Sequence, residues 1–160
     1  MYDILLKNGL IVDGTGEKAY QADLAVENGK IAAISPAIDP GLAKETVDVS
    51  GLVVAPGFID MHSHSDLSFL RDDRGEAKLY QGVTSELVGQ CGYSPYPCPP
   101  GKEDVIEAFG RTAVGNFAAC SLEAYVNGAA KRGNKMGTNL LPLIGHGTLR
   151  CGFAGYENRS

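Results

Sequence analysis

The stretch APGFIDMHSHSD, Ala55–Asp66, holds two of the chain's three histidines, two positions apart, directly after an apolar run that ends in Asp60. Extended back to Val53 it reads VVAPGFIDMH, nearly continuous in apolar residues rather than alternating, which is the pattern of a parallel strand covered on both faces. Side chains two apart on a strand share a face, so Asp60, His62 and His64 are predicted to project together while Met61 and Ser63 face away. A His-x-His pair alone is a weak signal, because imidazole also serves as an ordinary hydrogen-bonding group. At the end of a buried strand, however, two rings without partners would be costly, and the pair is expected to converge on a cation, with zinc as the natural occupant.

Downstream, RDDRGEAKLYQG (71–82) reads as a helix weakened by Gly75, and VTSELVG (83–89) as a second short strand. SLEAYVNGAAKRG (121–133) places Leu122, Tyr125, Val126, Ala129 and Ala130 at helical spacing, with Ser121 as N-cap and Lys131-Arg132-Gly133 as a stop. TNLLPLIGHG (138–147) reads as a third buried strand, safest at Leu143-Ile144, with Pro142 at its beginning or at a bulge because proline has no ladder donor. Strand and helix in alternation imply an α/β sheet or a (β/α) barrel, and both gather functional groups beyond the carboxyl ends of the strands.

Residues 1–54 read differently. YDILLKNGLIVD, ADLAVENGKIAAI and TVDVSGLVVA are short apolar runs punctuated by Asn8-Gly9 and Asn28-Gly29, dipeptides suited to tight hairpin turns, and they predict a small antiparallel β unit. Pro36, Pro40 and Gly41 mark a loop within it.

Around the histidine pair, Asp60 is expected to orient a ligating ring, and Asp66 either to do the same or to cap the helix that follows. VGQCGYSP puts Cys91 at the mouth of the second strand, where a thiolate would be a strong zinc ligand able to bridge two ions; a cysteine in an apolar context can equally be plain packing. LIGHGTLR puts His146 at the end of the third strand as a ligand, proton donor or substrate contact, or as a ring satisfied by backbone, with Arg150 beyond it to attract a carboxylate or to stay solvated. Cys98, Cys120 and Cys151 are read as structural. Glycine clusters at Gly89-Gln-Cys-Gly92 and Gly145-His-Gly147 predict tight turns and close backbone approaches.

The totals narrow the classes. A chain of 160 residues with 44% hydrophobic content and a net charge of −5 is an ordinary globular composition. Without a run of lysine or arginine it offers no footprint for nucleic acid and no basic face for a membrane, so a small-molecule partner is expected. MYDILLKNGL resembles neither a signal peptide nor a membrane span, and cytoplasm is the expected location. The irregular cysteine spacing argues against a disulfide framework, a zinc ribbon and a thiol-redox role.

With these elements in order, ENGKIAAI, VVAPGFIDMHSHSD, QGVTSELVGQCGYSP and GHGTLR, the chain resembles the amidohydrolase superfamily and, within it, the N-acyl-D-amino-acid deacylase (D-aminoacylase) branch, over essentially all 160 residues. The PGFID-x-H-x-H element is shared across the superfamily, and Cys91 in its Cys-Gly-x-Ser-Pro setting, which includes Ser94, narrows the choice. The resemblance implies an α/β fold: the first three βα units of a TIM-type barrel over 55–160, preceded by strands of a small β-sandwich over 1–54. It implies zinc-dependent hydrolysis of the amide of N-acyl-D-amino acids, with one tight metal site and a second, weaker one. His62 and His64 would serve the weaker position, and Cys91 would bind the tight zinc in place of a bridging carboxylated lysine. Asp60, Asp66, Ser94, His146 and Arg150 are candidates for outer contacts or for the substrate side. The general-base aspartate is expected beyond Ser160, so the chain is expected to be an N-terminal segment, inactive alone. The rival expectations are a cyclic amidohydrolase of the dihydroorotase or hydantoinase type, and a non-catalytic assembly piece; oligomeric state is left open.

Overall fold

The longest strand among the described residues, β1 (Tyr2–Ile11), organises the first of two units into which the protein divides, Met1–Pro56 and Gly57 onward. The computed structural model describes residues 1–68, 75–132 and 137–155. β1 pairs antiparallel with β2 (Tyr20–Glu27), which pairs antiparallel with β3 (Lys30–Ser35). Asn28 and Gly29 both take positive φ, 51° and 71°, the two-residue turn that suits a right-twisted hairpin. On its other edge β1 carries β4 (Ala43–Asp48) and β5 (Val53–Val54), both parallel to it, so the unit is mixed rather than antiparallel.

Asn8-Gly9 is not a hairpin turn. It is a bulge inside β1, with Asn8 at φ 63° and the register with β2 slipping between Leu6 and Gly9. The dipeptide signal is the same in both settings; strands continuing on either side decide for the bulge. Alternation fills both faces, Leu5, Ala25 and Ile38 packing on one and Ile11, Ala22 and Leu24 on the other. Where the bulge opens the ladder, the buried Asp23 carboxylate accepts from Lys7 Nζ (2.8 Å), Asn8 N (2.8 Å) and Ile38 N (2.9 Å). Burial alone would raise its pKa, but these three donors outweigh burial and hold it at about 2.

In the second unit, β6 (Phe58–Asp60), β7 (Val83–Val88) and β8 (Asn139–Pro142) form a parallel sheet in that order. The run VVAPGFIDMH is therefore not one strand. Ala55-Pro56-Gly57 divides it between the two sheets, and Phe58 and Ile59 are exposed, at 65% and 60%, instead of covered on both faces. β8 ends where the sequence placed its centre: Pro142 is its last residue, and of Leu143-Ile144 only Leu143 continues the ladder, through its N–H to Val88 O at 3.0 Å. A proline is tolerated there because β8 lies at the edge of this sheet and the next donor, Leu143 N, supplies the bond to Val88 O.

Among the described residues the helices are α1 (Ser65–Ser68), α2 (Glu76–Leu79), α3 (Glu103–Val114), α4 (Leu122–Arg132) and α5 (His146–Ala154). The start of the expected 71–82 helix, and Gly133, lie outside the described residues. Ser121 caps α4, its Oγ accepting from Ala124 N at 3.0 Å. α4 buries Tyr125 against Tyr96, ring centroids 4.5 Å apart, with Ala129 and Leu140 packed alongside, while Leu122 and Val126 remain exposed. α3, not anticipated from the sequence, buries Ile106 near Gly152 of α5. Among the described residues no helix is long and apolar enough to cross a membrane.

Two outcomes follow for stability. Asp23 has a folded pKa of about 2 against an ordinary 3.8, so the unfolded chain takes up its proton first as pH falls. A contribution on the order of 2 kcal/mol, full above pH ~4, should disappear between pH ~4 and ~2. Urea unfolding at stepped pH should show this acid limb, and Asp23→Asn should flatten it. Gly89, at φ 82°, has its Cβ direction blocked by the Leu143 carbonyl. Gly89→Ala should therefore lower stability by roughly 2 kcal/mol or more in the same assay.

Candidate metal centre

β6 stops at Asp60, so His62 and His64 sit on the loop beyond it and meet by loop geometry rather than by strand alternation. The loop is fastened to the end of β7: Ser63 N donates to Leu87 O at 3.1 Å and Gln90 Nε2 to Met61 O at 3.0 Å. Past β7 the chain makes a 3-10 turn over Gln90–Gly92, in which Gly89, Cys91 and Gly92 take φ of 82°, 54° and 80°. Cys91 is thus a non-glycine residue in the left-handed region, a conformation that costs about 1–2 kcal/mol. The turn delivers its thiol to the histidines.

One nitrogen from each of His62 and His64 and the Cys91 sulfur all lie within 4.8 Å of one another. His62 Nε2 and Cys91 Sγ are 3.0 Å apart, and the two imidazole centroids 5.7 Å apart. His62 and Cys91 are exposed, whereas His64 is half-buried against Tyr93 (centroids 6.2 Å), itself stacked on Phe109 at 4.6 Å. Burial, and secondarily the neighbouring His62, lowers the His64 pKa below the usual imidazole value and favours the neutral ring. Two imidazoles and a thiol that can lose its proton are a donor set suited to zinc, so the residues present fit that ion.

Beneath the loop lies a group that sequence reading missed. Glu86, in the middle of β7 and 1% exposed, accepts from Ser63 Oγ (2.6 Å) and Ser65 Oγ (2.5 Å) on one oxygen and from Thr138 Oγ1 (2.7 Å) on the other. Lys78 Nζ stands 3.5 Å away and pairs with Asp60. Burial would raise the Glu86 pKa, but the three hydroxyls and Lys78 together lower it below the ordinary carboxylate value. The available signal was a charged residue inside the apolar strand VTSELV.

The remaining candidates divide. Asp60 does not orient an imidazole ring: it pairs with Lys78, and its Oδ1 accepts from the His62 backbone N–H at 3.0 Å. Asp66 lies in the first turn of α1 rather than at its cap; it is 2% exposed, neither carboxylate oxygen has a hydrogen-bond partner among the described residues, and burial pushes its pKa up to about 7. The Ser94 hydroxyl donates to Tyr96 O and accepts from Gly145 N, and its backbone N–H donates to Thr148 Oγ1, tying the Cys91 loop to α5. His146 begins α5 instead of ending β8; it and Arg150 are exposed, and His146 is not part of the three-residue cluster. Gly145 and Gly147 each face the Gly92 carbonyl so closely that a Cβ would collide with it, so the two glycine clusters of the sequence pack on each other. Cys98, Cys120 and Cys151 are free thiols, half-buried or buried.

The chain is 39% identical over 154 residues to a D-aminoacylase from Alcaligenes xylosoxydans xylosoxydans, spanning 94% of this chain and 30% of that protein. It is 36% identical to an N-acyl-D-glutamate deacylase from the same organism, over 92% of this chain and 29% of that protein. Among solved structures, an N-acyl-D-glutamate deacylase from Bordetella bronchiseptica, complexed with zinc and a phosphonate mimic of the reaction's tetrahedral intermediate, matches with a TM-score of 0.75 at 37% identity, over 94% of this chain and 31% of that one. A D-aminoacylase studied for its binuclear metal centre matches with a TM-score of 0.78 at 30% identity, over 95% and 31%. The chain thus spans about 30% of the length of these relatives. The sequence model of the amidohydrolase family matches residues 45–150, a range that holds His62, His64, Cys91 and the strands that position them, and the chain belongs to that family.

Proposed function

We propose that the protein carrying this chain is a zinc-dependent deacylase that hydrolyses the amide bond of N-acyl-D-amino acids, releasing a carboxylate and the free D-amino acid. The observation that carries this reading is the approach of the Cys91 thiol to His62 Nε2, with His64 beside them. That approach favours Cys91 as the ligand that would stand where cyclic-amide hydrolases use a lysine. The substrate class is supported by the names of the relatives, a D-aminoacylase and an N-acyl-D-glutamate deacylase. The organisation that fits is a barrel beginning after residue 54, with the first three strands of that barrel in β6, β7 and β8 and a small sandwich domain supplying 1–54.

In this reading His62, His64 and Cys91 hold the metal platform, Cys91 at the tighter position and the histidine pair at the weaker one. A bound zinc would lower the pKa of a water molecule and polarise the amide carbonyl. His62 and Cys91, being exposed, present the open side of the platform to substrate, while His64 is backed by Tyr93 and Phe109. Among the described residues, Asp60 is paired with Lys78, Glu86 accepts from three hydroxyl donors, and Asp66 is buried. The resemblance to the D-aminoacylase branch assigns the proton transfer from water to the leaving amine to an aspartate outside these 160 residues.

Dialysed against zinc and measured for bound metal, the protein should retain zinc. Cys91→Ala should lose the tight ion and reduce turnover by more than the roughly 10- to 100-fold typical of changes to groups that only support ligands. His62→Ala should weaken the second ion while the Cys91-held one remains. An N-acyl-D-amino acid should be hydrolysed and its L-enantiomer spared. The 160-residue chain by itself should bind zinc weakly without turnover; turnover that survives repurification would contradict the assignment of the acid–base residue.

A further inference from the structure

Residues 62–65 divide their side chains between two environments. His62 and His64 turn toward Cys91, and the alternate residues Ser63 and Ser65 turn to the buried Glu86. Both serine hydroxyls reach the same carboxylate oxygen, Oε2, which also faces Lys78; the other oxygen, Oε1, receives Thr138 near the start of β8. Lys78 extends the grip to Asp60, whose second oxygen accepts from the His62 backbone N–H. A loop residue has no ladder to fix its φ and ψ, so an anchored serine on either side of His64 determines where its ring can point. A carboxylate is the acceptor for this task, because charge-assisted hydrogen bonds are shorter and about twice as strong as neutral ones.

We propose that Glu86 is a positioning residue for the metal platform: by holding Ser63 and Ser65 through one oxygen, and Asp60 through Lys78, it aims the His62 and His64 rings at Cys91. This rests on the reading of those three residues as a metal site, but its geometry exists without the ion. It also explains why a charge is buried in β7, where a valine or leucine would pack without needing partners.

The test uses imidazole proton–nitrogen NMR spectra of the full chain, first metal-free and then titrated with zinc, in wild type, Glu86→Gln and Thr138→Val. The chain's three histidines give separate signals, and His146 serves as internal reference. In metal-free Glu86→Gln the His62 and His64 signals should move or broaden while His146 stays in place, and zinc affinity should fall roughly 10- to 100-fold. Thr138→Val, which removes only the Oε1 contact, should leave both ring signals and affinity near wild type. Folded Glu86→Gln with unchanged His62 and His64 signals would overturn the proposal, as would Thr138→Val disturbing them equally, since that marks a general packing role. Should Glu86→Gln fail to fold, the Ser63→Ala/Ser65→Ala double variant carries the same expected and overturning results. If the wild-type rings ignore zinc, the metal-site reading fails, and the metal-free spectra still judge the brace.

Discussion

A cysteine backbone held in the left-handed region is the constraint on which the rest of the centre depends. Cys91, at φ 54°, sits between Gly89 and Gly92, both with positive φ, so the chain reverses within four residues of β7 and turns a thiol back toward a loop from the neighbouring strand. The cost of that conformation, about 1–2 kcal/mol, has to be met by surrounding contacts. The contacts are present: Leu143 closes over Gly89, Gly145 and Gly147 press on the Gly92 carbonyl, and Ser94 bonds to the start of α5. Residues that look unrelated in sequence are thus one mechanical assembly.

The second half of the centre is held by charge. Asp60 of β6, Ser63 of the loop beyond it, Ser65 at the start of α1, Lys78 of α2 and Glu86 of β7 form one network of two carboxylates, one ammonium and two hydroxyls, which Thr138 joins just before β8. Buried charges are tolerated only when paired and hydrogen-bonded, and here both conditions hold for Glu86. Asp66 is the contrast. It lies two residues from His64, equally buried, yet its oxygens lack partners among the described residues and its pKa is driven upward rather than down.

Much of the centre was legible because its elements are short-range. His62 and His64 are two positions apart in sequence, β7 ends in a recognisable apolar run, and glycines on both sides of Cys91 announced a tight turn. What sequence could not supply was which partner each polar group would take. Asp60 was expected beside a ring and instead supports a backbone N–H, because Lys78, in the last turn of α2, reaches back to it. Glu86 was invisible as a bracing group because its three hydroxyl donors come from two segments far apart in the chain. Asn8-Gly9 shows the same limit in the first unit: the dipeptide specifies a local backbone, and the pairing of strands on either side decides whether that becomes a hairpin or a bulge. The run from Val53 to His62 was read as one strand because hydrophobicity does not distinguish two sheets sharing a segment; Pro56-Gly57 was the only local mark of the division.

The account as a whole stands on the Cys91 sulfur being a zinc ligand of the centre that His62 and His64 complete, and zinc-edge X-ray absorption on the zinc-loaded protein measures this directly. It should show one sulfur scatterer at about 2.3 Å with nitrogen or oxygen scatterers at about 2.0–2.1 Å, and the sulfur shell should vanish in Cys91→Ala. A zinc environment made of nitrogen and oxygen alone, the same in wild type and Cys91→Ala, would contradict it.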